Sequence, residues 1–360
     1  MKDSLLDLAV KNFENENFPK AIQLFEKILK LDPDNPVALI NNSSCLAEIG
    51  KYEEAMEQLE FFLKKYPNDF DALYNKATTL YDMDQYEEAL DTFDIALKID
   101  PKNSQALCNK ANVLVALGRH NDAISVYKHA LQVEPRDIEI LNNIGIVYAG
   151  QKKHEKAIKY FQTALDKQRN DIDSLCNLGN SLLEIENYKS AYKCFRQVVK
   201  LDPTDFDAAF RLGITCNNLN MPDRALIYFN KLLRRDKNNI DALINKGYSL
   251  HLLGKYGRAI LCYKEVLKQD PDEINAIYYM SKSTARQNDA KQTCDLISKL
   301  LKLQFLNDLD HDHDHDHDHD HDHDHDHDHD HVHLIEKIQK DSDFKKMRTN
   351  ANFLFLLKHN

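Results

Sequence analysis

The feature that most constrains the fold is an alanine that recurs at a constant 34-residue interval, eight times without an insertion. The eight positions are Ala21, Ala55, Ala89, Ala123, Ala157, Ala191, Ala225 and Ala259. Self-similarity at a period of roughly 20 to 50 residues indicates a repeat architecture, in which each unit stacks on its neighbours. We therefore expect one array of similar units rather than a set of unrelated domains.

Three further positions keep the same frame. A small residue stands twelve positions before each alanine: Ala9, Ser43, Ala77, Ala111, Gly145, Gly179, Gly213 and Gly247. An aromatic residue or leucine stands four positions after it: Phe25, Leu59, Phe93, Tyr127, Phe161, Phe195, Phe229 and Tyr263. Proline stands twelve positions after it in six of the eight cases: Pro33, Pro67, Pro101, Pro135, Pro203 and Pro271.

Apolar residues within one period follow helical spacing in two runs, around Leu107–Leu114 and Ala123–Ala130, with the polar break 118–121 between them. This pattern predicts a helix, a turn and a second helix. The small residues allow the two antiparallel helices to approach closely, and we expect the aromatic residue to fill the gap towards the next repeat. Proline disfavours helical geometry in the residue before it and so ends the second helix.

These positions together resemble the tetratricopeptide repeat (TPR) family. The resemblance implies an all-α, right-handed superhelical solenoid of helix-turn-helix repeats, whose first helices line a concave face that holds ligands. With the proline at repeat position 32, the eight repeats are 2–35, 36–69, 70–103, 104–137, 138–171, 172–205, 206–239 and 240–273. Residues 274–307 are a degenerate ninth repeat that we expect to cap the stack, because Thr293 replaces the alanine and no proline follows.

Asparagine recurs at repeat position six, on the first helix. These residues are Asn41, Asn75, Asn109, Asn143, Asn177 and Asn245, and Asn112 and Asn180 stand three positions further on in their repeats. A side-chain amide both donates and accepts hydrogen bonds, so a row of amides can hold the backbone of an extended peptide. The alternative is that the amides bond to neighbouring repeats and serve structure alone.

Aromatic residues on the same helices, Tyr74, Phe210 and Tyr248, either form pockets for a partner's side chains or pack between repeats. Acidic residues at position two favour a basic or neutral ligand, or simply favour the helix N-terminus through its dipole. One TPR subtype binds the acidic C-termini of chaperones through a carboxylate clamp, which needs lysine at position five. Position five instead holds residues such as Leu6 and Ile40, so we predict that the chain is not a carboxylate-clamp chaperone binder.

A low-complexity tract of alternating histidine and aspartate fills residues 308–333, and we expect it to be a disordered linker. Its histidines are His311, His313, His315, His317, His319, His321, His323, His325, His327, His329, His331 and His333. Imidazole and carboxylate ligate zinc, and imidazole also suits nickel and copper. The sequence thus predicts that no cofactor is required and that this tract can bind a divalent metal ion. The alternative function is a metal buffer or sensor that uses the array as a docking platform. A further interpretation is that the tract is only a spacer.

Charge and motifs exclude several classes of function. The 360 residues carry 47 Lys+Arg and 58 Asp+Glu, a net charge of −11, but residues 310–331 alone hold 11 of the acids, and the remainder is balanced. This balance argues against nucleic-acid binding, which needs a basic surface. No apolar run is long enough to span a membrane, and seven scattered cysteines without a CxxC pair fit free thiols in a reducing compartment. We expect a cytoplasmic location.

No phosphate-binding or metallopeptidase motif is present, and the residues outside the array are too few for a catalytic domain. We therefore expect no enzymatic activity; a transferase subunit would need its catalytic partner on another chain. The segment 334–360 is an amphipathic helical tail that we expect either to occupy the chain's own groove or to cap the last repeat, with metal shortening the tether. The overall expectation is a protein-interaction scaffold for an extended peptide or a partner helix.

Overall fold

The computed structural model describes residues 2–313 and 330–359, and the side chains of 5–303 and 334–358. These ranges form twenty α-helices and one 3-10 helix and contain no strand. The chain divides into two compact units, Met1–Ser181 and Leu182–Asn360. Helices alternate along each unit as first and second members of antiparallel pairs.

The first helices of the nine pairs follow the 34-residue period, and each spans 13 residues. They are α1 (Lys2–Glu14), α3 (Pro36–Glu48), α5 (Phe70–Asp82), α7 (Ser104–Ala116), α9 (Ile138–Gly150), α11 (Ile172–Glu184), α13 (Phe206–Asn218), α15 (Ile240–Leu252) and α17 (Ile274–Arg286). The second helices are α2 (Phe18–Leu31), α4 (Tyr52–Lys65), α6 (Tyr86–Ile99), α8 (His120–Val133), α10 (His154–Lys167), α12 (Tyr188–Leu201), α14 (Pro222–Arg235), α16 (Tyr256–Gln269) and α18 (Ala290–His313).

Each first helix from α3 to α17 begins after a side chain that caps it. The capping oxygen accepts a hydrogen bond from the backbone N–H three residues further on, which satisfies one of the free donors at a helix start. The capping residues are Asn35, Asp69, Asn103, Asp137, Asp171, Asp205, Asn239 and Glu273. Such caps stabilise a helix by about 1 kcal/mol each, so they fix where every first helix starts.

Each first helix also ends in the same way, because one residue of every turn adopts a left-handed conformation. Three of the nine are glycines, and the other six have φ between 55° and 62°. They are Glu16, Gly50, Asp84, Gly118, Lys152, Glu186, Asn220, Gly254 and Asn288, again at the 34-residue interval. A left-handed residue at this place ends a helix and turns the chain back, which positions the second helix against the first.

The core of a pair forms where an aromatic ring of the second helix lies over a small residue of the first. A Cβ added to Gly145 would stand 2.4 Å from the Phe161 ring, and one added to Gly213 would stand 2.7 Å from Phe229. The rings of Phe161 and Phe229 thus fill space inside their own pairs, and their packing towards the next repeat stays a prediction. Tyr263 does both: it lies over Gly247 and stacks on Tyr279 with ring centroids 6.4 Å apart.

The ninth pair replaces the apolar contact with hydroxyl groups. Thr293 stands where the other second helices have alanine, and its hydroxyl lies 2.9 Å from that of Thr284, with both side chains buried. The helix α18 runs for 24 residues instead of the 14 of the other second helices and continues past residue 307. The degenerate repeat is therefore not the last helical part of the described ranges, because the C-terminal tail follows it.

The C-terminal tail packs on this last pair. It consists of α19 (Asp330–Lys340), a 3-10 helix (Ser342–Thr349) and α20 (Ala351–His359). Its buried side chains Ile338, Phe344, Met347, Phe353 and Leu357 join one apolar cluster with residues of α17 and α18. The sequence left two placements of the tail open. In the structure the tail covers the last pair, and its 3-10 helix contacts α17, the first helix of that pair.

Candidate functional site

Two asparagines of the amide row are bonded to the preceding repeat. The Asn75 amide donates to the Ser44 hydroxyl at 2.8 Å, and the Asn109 amide donates to the Tyr74 hydroxyl at 2.8 Å. These bonds tie α5 to α3 and α7 to α5. Asn75 and Asn109 thus have a structural part in the first unit, as the alternative interpretation of the row proposes.

Three other members of the row have no such bond. Asn41, Asn143 and Asn177 are half-buried on α3, α9 and α11, and their amides have no hydrogen-bond partner within the described part of the chain. A side-chain amide offers two donors and an acceptor, and here all of them are left for water or a ligand. In the first unit the row therefore separates into members that join helices and members whose hydrogen-bonding capacity is unused within the described residues.

In the second unit Asn245 bonds within its own helix, where its amide donates to the Asp241 carbonyl at 2.9 Å. The two asparagines at position nine differ from each other. Asn112 accepts a hydrogen bond from the Tyr127 hydroxyl, whereas the side-chain oxygen of Asn180 is buried without a partner in the described residues.

A small cleft in the first unit brings several of these residues together. Its volume is about 150 Å³, which is room for a few waters or one side chain. The lining residues are Thr78, Tyr81, Asp82, Phe93, Asn109 and Asn112. Tyr74 packs against Phe93, which lines the cleft, with ring centroids 6.0 Å apart. This predicted aromatic residue thus contacts the second helix α6, and its hydroxyl accepts a hydrogen bond from Asn109.

The other two predicted aromatic residues lie in the second unit. Phe210 packs edge-on against Phe229 and lines a cleft of about 340 Å³ together with Phe206, Arg235 and the acidic residues Asp207 and Asp241. The Arg235 guanidinium lies 4.4 Å from the centre of the Phe206 ring. Tyr248 does not line this cleft; its ring packs on Tyr279 at 5.2 Å, between consecutive first helices.

Polar residues that the sequence did not single out also join repeats. Asn142 is buried, donates to Asp171 at 3.3 Å and accepts from the Ser174 hydroxyl at 2.9 Å. In the second unit Asn217 accepts from the Ser249 hydroxyl at 2.9 Å. Neither asparagine recurs with the 34-residue period, so no repeated signal marks them in the sequence.

A second candidate site lies where the tail meets α15 and α17. Lys282 lies 2.8 Å from an Asp341 carboxylate oxygen and 3.2 Å from one of Asp343. His251 lies 3.1 Å from the same Asp343 oxygen, and the Tyr278 hydroxyl donates to Asp341 at 3.0 Å. The sequence analysis missed this site; its one mark in the repeat frame is lysine at position nine of α17, where the earlier repeats have uncharged residues.

The charges in this second site are mutually stabilised. Burial alone lowers the pKa of Lys282, but the hydrogen bond and charge of Asp341 outweigh it and hold that pKa above its usual 10.5. Burial alone raises the pKa of Asp343, but the hydrogen bond from His251 and the charge of Lys282 hold it below its usual 3.8. Lysine and aspartate are therefore both charged near neutral pH.

Metal ligation by the histidine–aspartate tract stays a prediction. The side chains of His311–His333 lie outside the described residues, and the described residues contain no cluster of three ligating side chains. All seven cysteines are free thiols, and burial raises the pKa of Cys45 and Cys108 to about 12, which leaves them protonated and unreactive. Metal binding and the exclusion of nucleic acid stay predictions.

Parts of the chain match four family models. These are described as the N-terminal TPR repeats region of Psidin (residues 82–206), anaphase-promoting complex subunit 3 (14–96) and tetratricopeptide repeat (176–240 and 240–273). No curated protein matches the chain. None of the described helices is long and apolar enough to cross a membrane.

Among solved structures, a chain of the APC/C hetero-tetramer Cut9–Hcn1 is similar with a TM-score of 0.50 at 20% identity, over 78% of this chain and 55% of that one. The present chain thus spans about half the length of that relative. A tetratricopeptide repeat protein from Parabacteroides merdae gives 0.49 at 19% identity over 68% and 97% of the two chains. YrrB, a TPR protein with an unusual peptide-binding site, gives 0.48 at 24% identity over 52% and 96%.

The paired helices and their 34-residue period define an all-α repeat solenoid. The matches to the repeat models add the family: the chain is a tetratricopeptide repeat protein. Fold and family together support a protein-interaction scaffold.

Proposed function

We propose that the chain is a protein-interaction scaffold that holds an extended peptide along the first helices of its first unit. One observation carries the proposal: Asn41, Asn143 and Asn177 are half-buried on these helices, and their amides have no partner in the described residues. A peptide backbone lying across these helices would meet the unused amides of Asn143 and Asn177 on the consecutive first helices α9 and α11. It would meet that of Asn41 on α3, with the bonded amides of Asn75 and Asn109 in between.

Acidic residues on the same helices favour a ligand with basic side chains. Glu14, Glu48 and Asp82 occupy the last turns of α1, α3 and α5 at the 34-residue interval. A negative charge is unfavourable at a helix C-terminus, so these residues do not stabilise their own helices. Burial and the nearby charge of Glu48 raise the pKa of Asp82. A cationic ligand side chain would relieve this repulsion.

The proposal is tested by affinity capture from lysate of the source cells with the full chain as bait. The variant is Asn41→Ala, Asn143→Ala, Asn177→Ala, and the matched control changes two exposed asparagines off the row, Asn68→Ala and Asn121→Ala. We expect a partner captured by the wild type and the control and lost by the triple variant, with the helical circular dichroism and the melting temperature unchanged. Equal capture by all three baits would contradict the proposal.

A second comparison tests the ligand charge. Glu48→Gln with Asp82→Asn should weaken capture of the same partner and reduce the dependence of its affinity on salt, because it removes two long-range attractions. If capture and salt dependence stay unchanged, the acidic residues have no part in ligand choice, and the amide row is judged by the triple variant alone.

A further inference from the structure

The tail lies on the last helix pair in the way that a bound peptide would. The side chains that meet it on α17 stand at Tyr278, Lys282 and Arg286, at four-residue spacing, and so share one helix face. They belong to a first helix, the class of helix that carries the amide row. We call this surface, together with His251 on α15, the tail site.

One half of the tail site is complementary to two carboxylates. Lys282 and the Tyr278 hydroxyl hold Asp341, and Lys282 also reaches Asp343. Arg286 adds a longer contact of 3.6 Å to Asp343. Only 14% of the Lys282 side chain is exposed. A cation this deep is costly without a partner, so the site requires negative charge.

His251 joins the tail to α17 through both of its ring nitrogens. Its Nδ1 lies 2.9 Å from the Ser283 hydroxyl, and its Nε2 lies 3.1 Å from an Asp343 carboxylate oxygen. A carboxylate can only accept, so Nε2 is the donor in that bond. The second carboxylate of the tail therefore has a donor on α15 as well as Lys282 on α17.

The other half of the tail site is apolar. Phe344 directly follows the second carboxylate and is fully buried, and Met347 is 3% exposed. Both belong to one cluster with Ile277 and Leu301, and the Phe344 ring stacks on Phe353 at 5.9 Å. The site thus fits a short sequence pattern: two carboxylates two residues apart, then an aromatic residue and, three further on, a flexible apolar one.

We propose that the tail site is a recognition site for an acidic–aromatic segment of this pattern, and that the chain's own tail is its displaceable occupant. A partner carrying the same pattern then competes with the tail for Lys282, for His251 and for the apolar surface on which Phe344 packs. A tether gives the tail an effective concentration on the order of millimolar, so the closed state prevails until such a partner is present. This proposal does not depend on the amide row.

The test uses a fluorescent peptide of residues 334–358 as probe and measures its binding to the full chain. Asp341→Asn with Asp343→Asn weakens the internal tail and leaves the receiving residues intact. We expect this variant to bind the wild-type peptide at least tenfold more tightly than the wild-type chain does. The matched control is Lys345→Gln, an exposed charge of the tail, which should bind the peptide as the wild type does.

Two further arms make the result specific. A peptide with asparagine at both acidic positions should bind the Asp341→Asn, Asp343→Asn chain at least tenfold more weakly than the wild-type peptide. Adding Lys282→Met to that chain should abolish binding of the wild-type peptide. Equal affinity of wild type and variant for the peptide, or equal affinity of the two peptides, would overturn the proposal.

Hydrogen exchange on the unmodified chain serves if the variants fold poorly. Excess peptide should accelerate exchange of the chain's own residues 341–353, because they leave the site, while exchange in α3–α10 stays constant. No acceleration at saturating peptide would also overturn the proposal. Neither the peptide-binding result nor the exchange result depends on whether the amide row binds a ligand.

Discussion

The pairs α9–α10 and α17–α18 build the same shape from different side chains. In the first, Gly145 receives the Phe161 ring and the second helix contributes a buried alanine. In the second, Ser281 and Thr293 take the places of glycine and alanine, and the buried hydroxyls of Thr284 and Thr293 replace an apolar contact. The repeat geometry thus tolerates polar packing when each hydroxyl finds a partner.

The outward faces of the two pairs differ more than their cores. On α9, Asn143 presents an amide without a partner in the described chain, whereas α17 carries Tyr279 at that position and a lysine three residues on. The face of α17 is covered by the tail, which neutralises its charge. The regular repeats of Asn41, Asn143 and Asn177 thus keep an amide without a partner in the described residues, while the polar groups of the last pair are satisfied by the chain's own tail.

The largest effect is expected at the covered pair. Phe344→Ala removes a fully buried ring from the tail cluster, and such truncations cost about 3–5 kcal/mol. We expect the tail to detach, which hydrogen exchange over 334–357 would record as a loss of protection. Leu354→Ala is the control, because that side chain is 40% exposed and its loss should leave protection in place. Retained protection in Phe344→Ala would show that the ring does not hold the tail.

The next effect is expected in the regular pair. Gly145→Ala places a methyl group 2.4 Å from the Phe161 ring and should destabilise the protein by about 1–3 kcal/mol in urea unfolding. Gly150→Ala on the same helix meets nothing within 4 Å, so stability should stay unchanged or rise by up to about 1 kcal/mol. If both variants behave alike, the close approach of ring and helix does not limit this pair.

A smaller effect of opposite sign is expected at the turn that follows α9. Lys152 has φ of 57°, a left-handed geometry that costs a non-glycine residue about 1–2 kcal/mol. Lys152→Gly removes that cost but adds freedom to the unfolded chain, so we expect the free energy of unfolding in urea to rise by about 0.5–1 kcal/mol. Gly118→Ala, at the matching position of another turn, should lose stability.

The smallest effect is expected from acid, because it removes one pairing and leaves the apolar contacts of the tail in place. The pKa of Asp343 is lowered in the folded chain, so its stabilising contribution is fully present above about 3.8 and is lost as pH falls through the lowered value. Protection of the tail should therefore fall below pH 3.8 in the wild type. In Asp343→Asn this pH dependence should be smaller, because only the pairing of Asp341 with Lys282 is then left for acid to remove.

The sequence was informative wherever a contact repeats with the 34-residue period. The alanines, the small residues and the rings mark the helix pairs because each contact joins residues close in the chain. The caps Asn35 to Glu273 follow the same period and could have been predicted from it. The left-handed turn residue is glycine in only three of nine turns, so its composition gives a weak signal.

The second candidate site could not be predicted in this way. His251 and Asp343 are 92 residues apart and belong to no repeat of contacts, so nothing in the spacing pairs them. The amide row was visible, but the sequence gives the same letter to Asn109, which bonds to Tyr74, and to Asn143, which bonds to no described residue. Only the neighbouring side chains decide which amides are engaged.

Nuclear magnetic resonance can show directly whether the unused amides bind the ligand, if the side-chain amide signals of the row are followed while the captured peptide is added. We expect the signals of Asn41, Asn143 and Asn177 to shift in a saturable manner, and those of Asn75 and Asn109, already bonded within the unit, to shift less. Saturable binding that leaves the first three signals unmoved would contradict peptide binding by these amides.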